Sequence, residues 1–445
     1  MFSKVLVANR GEIALRVMQT CERLGIQTVA VHSDVDADMP FVRMADEAYE
    51  IGPAPVAQSY LDADQIVAIA QRVGAEAIHP GYGLLSENAD FARLIEAKGM
   101  AFIGPTPESI IEMGSKLAAR QLAQSAGLPL VPGTPAVGSV EEGMSLAEAI
   151  GYPLLVKASA GGGGIGMTRV KKAARLERAL NEAIDKGERF FGDGTVFIEK
   201  LIEEPHHVEV QILGDGRGKV LHIGDRECSM QRRHQKLLEE APGPFLSAHK
   251  REELCGQAVE LAQRINYRGA GTVEFVADAQ GQFYFLEMNT RLQVEHPVSE
   301  LTHGIDLVEW QLRIAAGEAL AMEQSDLPCA GHAIEFRICA EDPSKRFAPC
   351  PGTINRWIEP EGEGVRVDSG VTQGTQVTPY YDSLLAKLIV FGADRAEAIE
   401  RSKAALDAFV VEGIATTIGF HRASLDHPKF VDGNYTTNLS KEIIG

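Results

Sequence analysis

The sequence is poor in cysteine, in positive charge and in long apolar runs, and each shortage closes off a class of protein. Six cysteines (Cys21, Cys228, Cys255, Cys329, Cys339 and Cys350) are spread over 445 residues without a CxxC pair. Such spacing fits six thiols in a reducing compartment better than a disulfide framework. Lysine and arginine number 43 against 62 aspartates and glutamates, a formal net charge of −19. A surface this acidic repels nucleic-acid phosphate and anionic lipid, so neither nucleic acid nor membrane is expected as a partner. Any anion the protein binds needs a local basic pocket. No apolar run reaches the roughly 18 residues of a membrane span, and the stretch before Asn9-Arg10 is too short for a signal-peptide core. The expected location is the cytoplasm.

What is present is an ordinary globular composition, 45% apolar and 24% charged, in a chain long enough for about three domains. Lys4–Ala8 reads as a buried strand, Ile13, Val17, Cys21 and Leu24 share one face of a helix, and Gln27–His32 is a second strand. Further alternation follows: a helix near Asp62–Val73, an apolar Ala77–His79, a helix near Ala89–Ala97, and Ala101–Ile103. Strands alternating with helices imply a parallel sheet covered on both faces. The first strand runs into Asn9-Arg10-Gly11-Glu12, which lacks the spaced glycines of a dinucleotide fingerprint, so a nicotinamide enzyme is disfavoured. One helix is expected between Ser109 and Ala126, carrying Lys116, with a Pro/Gly-rich boundary after it. The middle segment holds strands at Pro153–Lys157, Thr195–Glu199 and His207–Leu213, and helices around Ala173–Lys186 and Arg251–Ile265. Beyond Pro328 strands at Ala333–Cys339, Thr353–Ile358, Val365–Val367 and Leu384–Phe391 precede a helix Arg395–Val411, an α+β domain.

The richest stretch is GTVEFVADAQGQFYFLEMNTRLQVEHPV from Gly271 to Val298. Two strands flank a short turn at 279–282. If Asp278 pairs with Phe283, Val276 faces Phe285 and Glu274 lies opposite Glu287. Directly paired side chains sit about 5 Å apart at Cβ, and two carboxylates so placed repel unless divalent cations lie between them. Alternation is expected to continue through Asn289, Arg291, Gln293 and Glu295, an acid, amide, base, amide, acid row suited to a metal ion beside an anion site.

Two further segments bear on chemistry. The strand ending in Lys157 enters the glycine run 161–166, whose backbone N–H groups can approach phosphate closely. Gly161, Gly163 and Gly166 satisfy G-x-G-x-x-G only literally, because Met167–Val170 reads as another strand where a dinucleotide turn opens a helix. No Walker A lysine follows. A glycine hairpin folding over a nucleotide phosphate fits better. The run DRECSMQRRHQK, Asp225–Lys236, concentrates Arg226, Arg232, Arg233 and Lys236 in an acidic protein; it reads as a basic loop for polyphosphate, with Cys228 inside it as a structural thiol.

Lys116, Lys157 with GGGGIGM, Glu199-Lys200, MQRRHQK, RGAGTVEF, EMNTRLQVEHPV, AEDP at 340–343 and PYYDSLLAK at 379–387 together resemble the biotin carboxylase family of ATP-grasp enzymes, over essentially the whole chain. The resemblance implies an α/β and α+β multidomain fold: a Rossmann-like N-terminal domain (1–114), an ATP-grasp domain (115–330) with a mobile lid subdomain (about 131–203), and an α+β C-terminal domain (331–445). It implies carboxylation of biotin from ATP and bicarbonate through carboxyphosphate. Glu274, Glu287 and Asn289 would ligate two Mg²⁺ or Mn²⁺ ions. Lys116, Lys157, Gly162, Gly163, Gly164, Gly166, Met167, His207, Gln231 and His234 would hold the nucleotide, with Glu199, Lys200 and Ile202 at the adenine, the last two through the backbone. Arg291, Gln293 and the Val294 backbone would bind bicarbonate, Glu295 would deprotonate it, Lys236 would stabilise the transferring phosphoryl group, Arg337 the biotin enolate, and Tyr82 would line the biotin pocket.

The glycine loop departs from the family's common GGGGRGM: Ile165 stands where the arginine would be, and Ala160 replaces another glycine, leaving the loop less positive and stiffer. No AMKM-like biotin attachment lysine occurs and no carboxyltransferase domain fits. The expected partners are therefore a separate biotin carboxyl carrier protein and carboxyltransferase subunits, with a homodimer implied by resemblance. Acetyl-CoA, and hence fatty acid biosynthesis, is the expected acceptor route. A paralogous subunit with another acceptor, a carbamoyl-phosphate-type ligase and a nucleotide-binding assembly subunit without turnover are the alternatives.

Overall fold

The computed structural model describes residues 1–158 and 167–444. The N-terminal region opens as β1 (Lys4–Val7), α1 (Gly11–Arg23) and β2 (Gln27–His32), followed by β3 (Glu47–Glu50), β4 (Ala77–His79) and β5 (Ala101–Phe102). These form a wholly parallel sheet in the order β3-β2-β1-β4-β5. Near-continuous apolar strands such as Val5, Leu6 and Val7, fully buried, are what a parallel sheet covered on both faces requires. The expected single helix between Ser109 and Ala126 is two, Pro107–Gly114 and Lys116–Ser125. Ser115 breaks it by capping the second, its hydroxyl accepting from Ala118 N, a role serine fills better than an interior position.

A separate three-stranded sheet follows, with β6 (Leu154–Ala158) central between β7 (Met167–Val170) and β8 (Val196–Lys200). β6 and β7 are antiparallel, with Lys157 opposite Met167. The segment joining them, with Gly162, Gly163, Gly164, Gly166, Ala160 and Ile165, lies outside the described residues.

The remainder is built on one antiparallel sheet of eight strands. It contains β9 (His206–Asp215), β10 (Val220–Arg232), β11 (Gln235–Ala241), β12 (Arg268–Ala277), β13 (Phe283–Asn289) and β14 (His332–Cys339), then Val365–Ser369 and Leu384–Gly392. The order is β13-β12-β9-β10-β11-β14, then Leu384–Gly392 and Val365–Ser369. Hydrogen bonding is continuous across residue 330, because β11 pairs with β14, Leu238 opposite Phe336. Helix Ala248–Arg264 packs its Leu254, Ala258 and Leu261 on the face carrying Val210, Val273 and Phe275; the opposite face carries the charges described below.

Three local expectations change. The run 225–236 is a β-hairpin, not a loop: β10 and β11 meet at Arg233-His234, both with positive φ (50° and 68°). Without glycine or asparagine the turn is strained, a cost that concentrates at functional sites. The hairpin register differs beside the turn, where Ala277, not Asp278, faces Phe283 and Phe275, not Val276, faces Phe285; a bulge at Leu286 then brings Glu274 opposite Glu287 as expected. This bulge reverses which residues of β13 point inward, burying Phe285 and Met288 alike while Leu286 is exposed. Finally, the last long helix ends at Ala408, and Val410–Glu412 is a strand paired with Arg356–Ile358.

Candidate active site

One row of side chains crosses four strands in direct register: Glu287 opposite Glu274, Glu274 opposite Glu209, and Glu209 opposite Arg226. Four strands of like backbone geometry thus stack charged groups on a single face. Arg226 and Glu209 are wholly inaccessible to solvent. Arg226 Nε donates to Glu209 Oε1 (2.5 Å), and its terminal nitrogens reach Gln211 Oε1 (2.7 Å), Ser299 Oγ (3.0 Å) and Thr272 Oγ1 (3.1 Å). Lys236 Nζ, entering from β11, donates to Glu209 Oε2 (2.5 Å), Glu295 Oε1 (2.5 Å) and Glu274 Oε1 (3.1 Å). Arg337 of β14 completes the chain, donating from Nη2 to Glu295 Oε2 (2.8 Å) and from Nε to Glu239 Oε1 (2.6 Å). Glu295 therefore lies between a lysine and an arginine brought from opposite sides of residue 330.

The charges set one another's protonation. Burial opposes ionisation of Glu295, but Lys236, Arg337 and Arg226 prevail and hold its pKa well below the ordinary carboxylate range. Burial likewise opposes the Lys236 cation, yet Glu209, Glu274 and Glu295 raise its pKa. Burial pushes Glu239 up to about 7, against the pull of Arg337. Cys228, buried among these groups, is unpaired, and burial drives its thiol far above its ordinary value, so it is no nucleophile. All six cysteines are unpaired, as the spacing predicts.

The anion row is not a strand. β13 stops at Asn289, and Glu295 immediately precedes the helix His296–His303 without its side chain capping it. The polar side chains still converge: Arg291 donates from Nη2 to Asn289 Oδ1 (3.0 Å) and from Nη1 to Gln293 Oε1 (3.1 Å). Asn289 Nδ2 and Gln293 Nε2 both donate to Glu274 Oε1, at 2.7 and 3.0 Å. His207 Nε2 stands 2.9 Å from Glu274 Oε2. Burial opposes the His207 cation, but Glu274 holds its pKa above the ordinary value. Gln231 Nε2 contacts His207 Nδ1 at 2.6 Å and Cys228 O at 2.7 Å.

Other nucleotide candidates stand apart from this network. Lys157 and Arg120 both pair with the buried Glu199 carboxylate, so any adenine contact of Glu199 falls to its backbone. Lys200 N already donates to Pro132 O (2.8 Å), and its ammonium reaches Tyr152 O (2.9 Å); of its backbone, only the carbonyl remains for a base. Ile202 lies in the turn after β8 and Met167 opens β7. The Lys116 ammonium makes no hydrogen bond or ion pair among the described residues; burial lowers its pKa, with Glu287 pulling the other way. His234 is exposed at the strained turn, its pKa lowered first by desolvation.

Tyr82 sits at a joint between the N-terminal sheet and the last strands. Its hydroxyl donates to Glu12, whose other oxygen lies 3.2 Å from Lys387 Nζ. Lys387, fully buried, also donates to Val294 O (2.9 Å), fixing the backbone expected to meet bicarbonate. The approach is close: a Cβ on Gly370 would stand 2.5 Å from Glu12 N. Burial raises the Glu12 pKa from 4.5 to about 7, against Lys387. Between those values the native state keeps a proton that the unfolded chain has released, so this contribution is complete below about 4.5 and is lost as pH rises through 7. Glu12→Gln, isosteric with the protonated acid, is expected to remove a decline of about 3 kcal/mol over that window. Urea midpoints at either end measure it; an undiminished decline in the variant overturns it.

Glu274, Glu287 and Asn289 offer oxygens only, the donor set of a hard divalent cation. The Glu287 carboxylate makes no hydrogen bond or ion pair among the described residues, and desolvation followed by the charge of Glu274 raises its pKa. A cation between the two carboxylates relieves that repulsion, so the residues fit one. Among the described residues two tighter donor groups, His207-Glu209-Glu274 and Glu209-Cys228-Glu295, exclude Glu287, and the Lys236 ammonium bonds to Glu209, Glu274 and Glu295 in them.

Sequence reasoning missed Asn9, Glu12, Glu87, Arg120, Glu239 and Lys387. Asn9 pins the Tyr82 loop through Pro80 O (2.6 Å) and Tyr82 O (2.8 Å); only its place at the end of a buried strand hinted at such a role.

The ATP-binding domain of the carbamoyl-phosphate synthase L chain matches residues 115–323, which carry the three-stranded sheet and the face of carboxylates, and this match makes the chain a nucleotide-dependent ligase of the ATP-grasp class. The biotin carboxylase N-terminal domain matches residues 1–110 and its C-terminal domain residues 335–442. A biotin carboxylase of Halalkalibacterium halodurans is 53% identical over 438 residues, 98% of this chain and 97% of that protein. A pyruvate carboxylase subunit of Methanothermobacter thermautotrophicus is 50% identical over 443 residues, 99% of this chain and 90% of that one. The biotin carboxylase domain dimer of Hydrogenobacter thermophilus 2-oxoglutarate carboxylase, solved with MgADP, ADP and bicarbonate, superposes with a TM-score of 0.95 at 48% identity, covering 100% of this chain and 99% of that one. The chain belongs to the biotin carboxylase family of ATP-dependent ligases. No helix among the described residues is long and apolar enough to cross a membrane.

Proposed function

We propose that this chain carboxylates biotin, carried on a separate carrier protein, using ATP, Mg²⁺ and bicarbonate. The observation that carries the reading is Glu295, buried and shared between Lys236 and Arg337. In the proposed reaction Lys116, Lys157, His207, Gln231 and His234 hold the nucleotide, with Glu199, Lys200 and Ile202 at the base. Mg²⁺ on Glu274, Glu287 and Asn289 supplies neutralisation of phosphate charge. Arg291, Gln293 and the Val294 backbone seat bicarbonate. Its oxygen attacks the γ-phosphorus, ADP leaves, and carboxyphosphate divides into CO₂ and phosphate; positioning and charge supply most of the rate.

Electrostatics give Glu295 its timing. While Lys236 rests on three carboxylates, Glu295 is ionised but a weak base. Once the transferring phosphoryl group draws Lys236 away, Glu295 loses its nearest cation, its proton affinity rises, and it takes the bicarbonate proton. Arg337, permanently charged, then faces the oxyanion that develops as the ureido nitrogen of biotin gives up its proton to the phosphate released from carboxyphosphate and captures CO₂. Tyr82 lines the approach.

ADP release with ATP, Mg²⁺, bicarbonate and free biotin, against a control lacking biotin, tests the reading; folded protein without biotin-stimulated ADP overturns it. A homodimer and a separate carboxyltransferase complete the proposed assembly, with acetyl-CoA as acceptor. Subunits named for pyruvate and 2-oxoglutarate carboxylases, 50% and 49% identical to this chain, favour a second reading with a keto acid as acceptor. Carboxyl transfer with each carboxyltransferase partner separates the two.

A further inference from the structure

Arg291, the residue proposed to seat bicarbonate, is held from outside its own segment. Glu87 lies 204 positions earlier, between the strained Tyr82 loop and the helix Ala89–Ala97, whose cap is Asn88. Leu84 and its neighbour Gly83 both have positive φ (46° and 64°), and the Asn88 side chain accepts from Phe91 N at 2.9 Å. Glu87 therefore projects from a backbone fixed on both sides. Its Oε2 accepts from Arg291 Nε at 2.9 Å, and its Oε1 from Thr290 N at 3.2 Å. Both terminal nitrogens of Arg291 lie on the other edge, Nη2 donating to Asn289 Oδ1 and Nη1 to Gln293 Oε1 and, at 3.3 Å, to Leu292 O.

We propose that Glu87 is a positioning residue: by holding Arg291 Nε and the adjoining Thr290 amide, it keeps the two-nitrogen edge of the guanidinium turned toward a planar oxyanion. This rests on the reading of Arg291 as part of the bicarbonate seat. A guanidinium presents its donors in a rigid fork, so fixing Nε fixes the direction of the remaining pair. Glu87 bonds the one side-chain nitrogen that this edge does not use. Without it Arg291 has Glu274 and Glu295 as competing carboxylates, both already acting on it electrostatically, and collapse toward either fills the seat. The side chain of Glu87 is 41% exposed, so the pair contributes little to stability; its consequence is geometric.

The test compares Glu87→Ala and Glu87→Gln in bicarbonate-dependent ADP release by the full chain. Glu87→Ala is expected to raise the KM for bicarbonate roughly tenfold with the KM for ATP unchanged, as a misdirected binding group does. Glu87→Gln retains an acceptor for Nε and is expected to stay within about threefold of the parent. In an Arg291→Lys background, Glu87→Ala is expected to add nothing further. Should the alanine variant fail to fold, Glu87→Asp, whose carboxylate is withdrawn by one methylene, carries the same expectation. An unchanged bicarbonate KM, or equal rises for bicarbonate and ATP, overturns the role of Glu87. A parent protein lacking bicarbonate-dependent turnover overturns instead the functional reading beneath it.

Discussion

Arg337→Ala is expected to lower biotin-dependent turnover roughly 10²–10³-fold, the usual cost of deleting one donor from a charge-stabilising site, while ATP binds as before. Among the described residues Arg337 makes its side-chain bonds to Glu239 and Glu295 only, and neither of these bonds to the Lys157-Glu199-Arg120 group. The change therefore strikes one end of the site. The fold has a way to absorb it, because Glu239 already titrates near 7 and takes up a proton once the arginine is gone, while Lys236 still covers Glu295 Oε1. Biotin-dependent ADP release and the Kd for ATP are the two measurements. Unchanged biotin-dependent turnover, or ATP affinity lost in the same proportion, sinks the role.

The parts of the molecule legible from sequence are those governed by local periodicity. β2 and the helix Ala89–Ala97 fall where an apolar run and helical spacing place them, and Glu274 meets Glu287 as expected because two one-residue departures cancel: Ala277, not Asp278, faces Phe283, and the bulge at Leu286 restores the pairing beyond it. Neither departure is legible, since nothing in FYFLEMN marks Leu286 as the extra residue of a bulge. The basic run 225–236 reads as a loop because hairpin turns of two residues ordinarily advertise themselves with Asn-Gly or Asp-Gly, whereas Arg233-His234 does not. Glu87, Glu239 and Lys387 are invisible for another reason: their partners lie 204, 98 and 93 positions away. A buried charge in a strand looks, residue by residue, like an exposed one.

Arg226 is the extreme of that kind, and its replacement is expected to cost the most stability. Arg226→Met removes a guanidinium with no solvent exposure that satisfies Glu209, Gln211, Ser299 and Thr272 at 2.5–3.1 Å. Among the described residues the Glu209 carboxylate, itself inaccessible, then keeps only Lys236. Breaking a buried pair from one side leaves an uncompensated charge, worth about 3–5 kcal/mol, and the guanidinium chloride midpoint is expected to fall accordingly. Adding Glu209→Gln removes the stranded charge and is expected to recover part of the loss, whereas Arg226→Lys recovers little, since an ammonium cannot span acceptors on three elements. A loss below about 1 kcal/mol in Arg226→Met, or no recovery in the double variant, overturns the account. The sign of the recovery matters most: it separates a stranded charge from a mere cavity, and only the first explains why the cations around Glu295 are anchored from beneath by a residue that no substrate could touch.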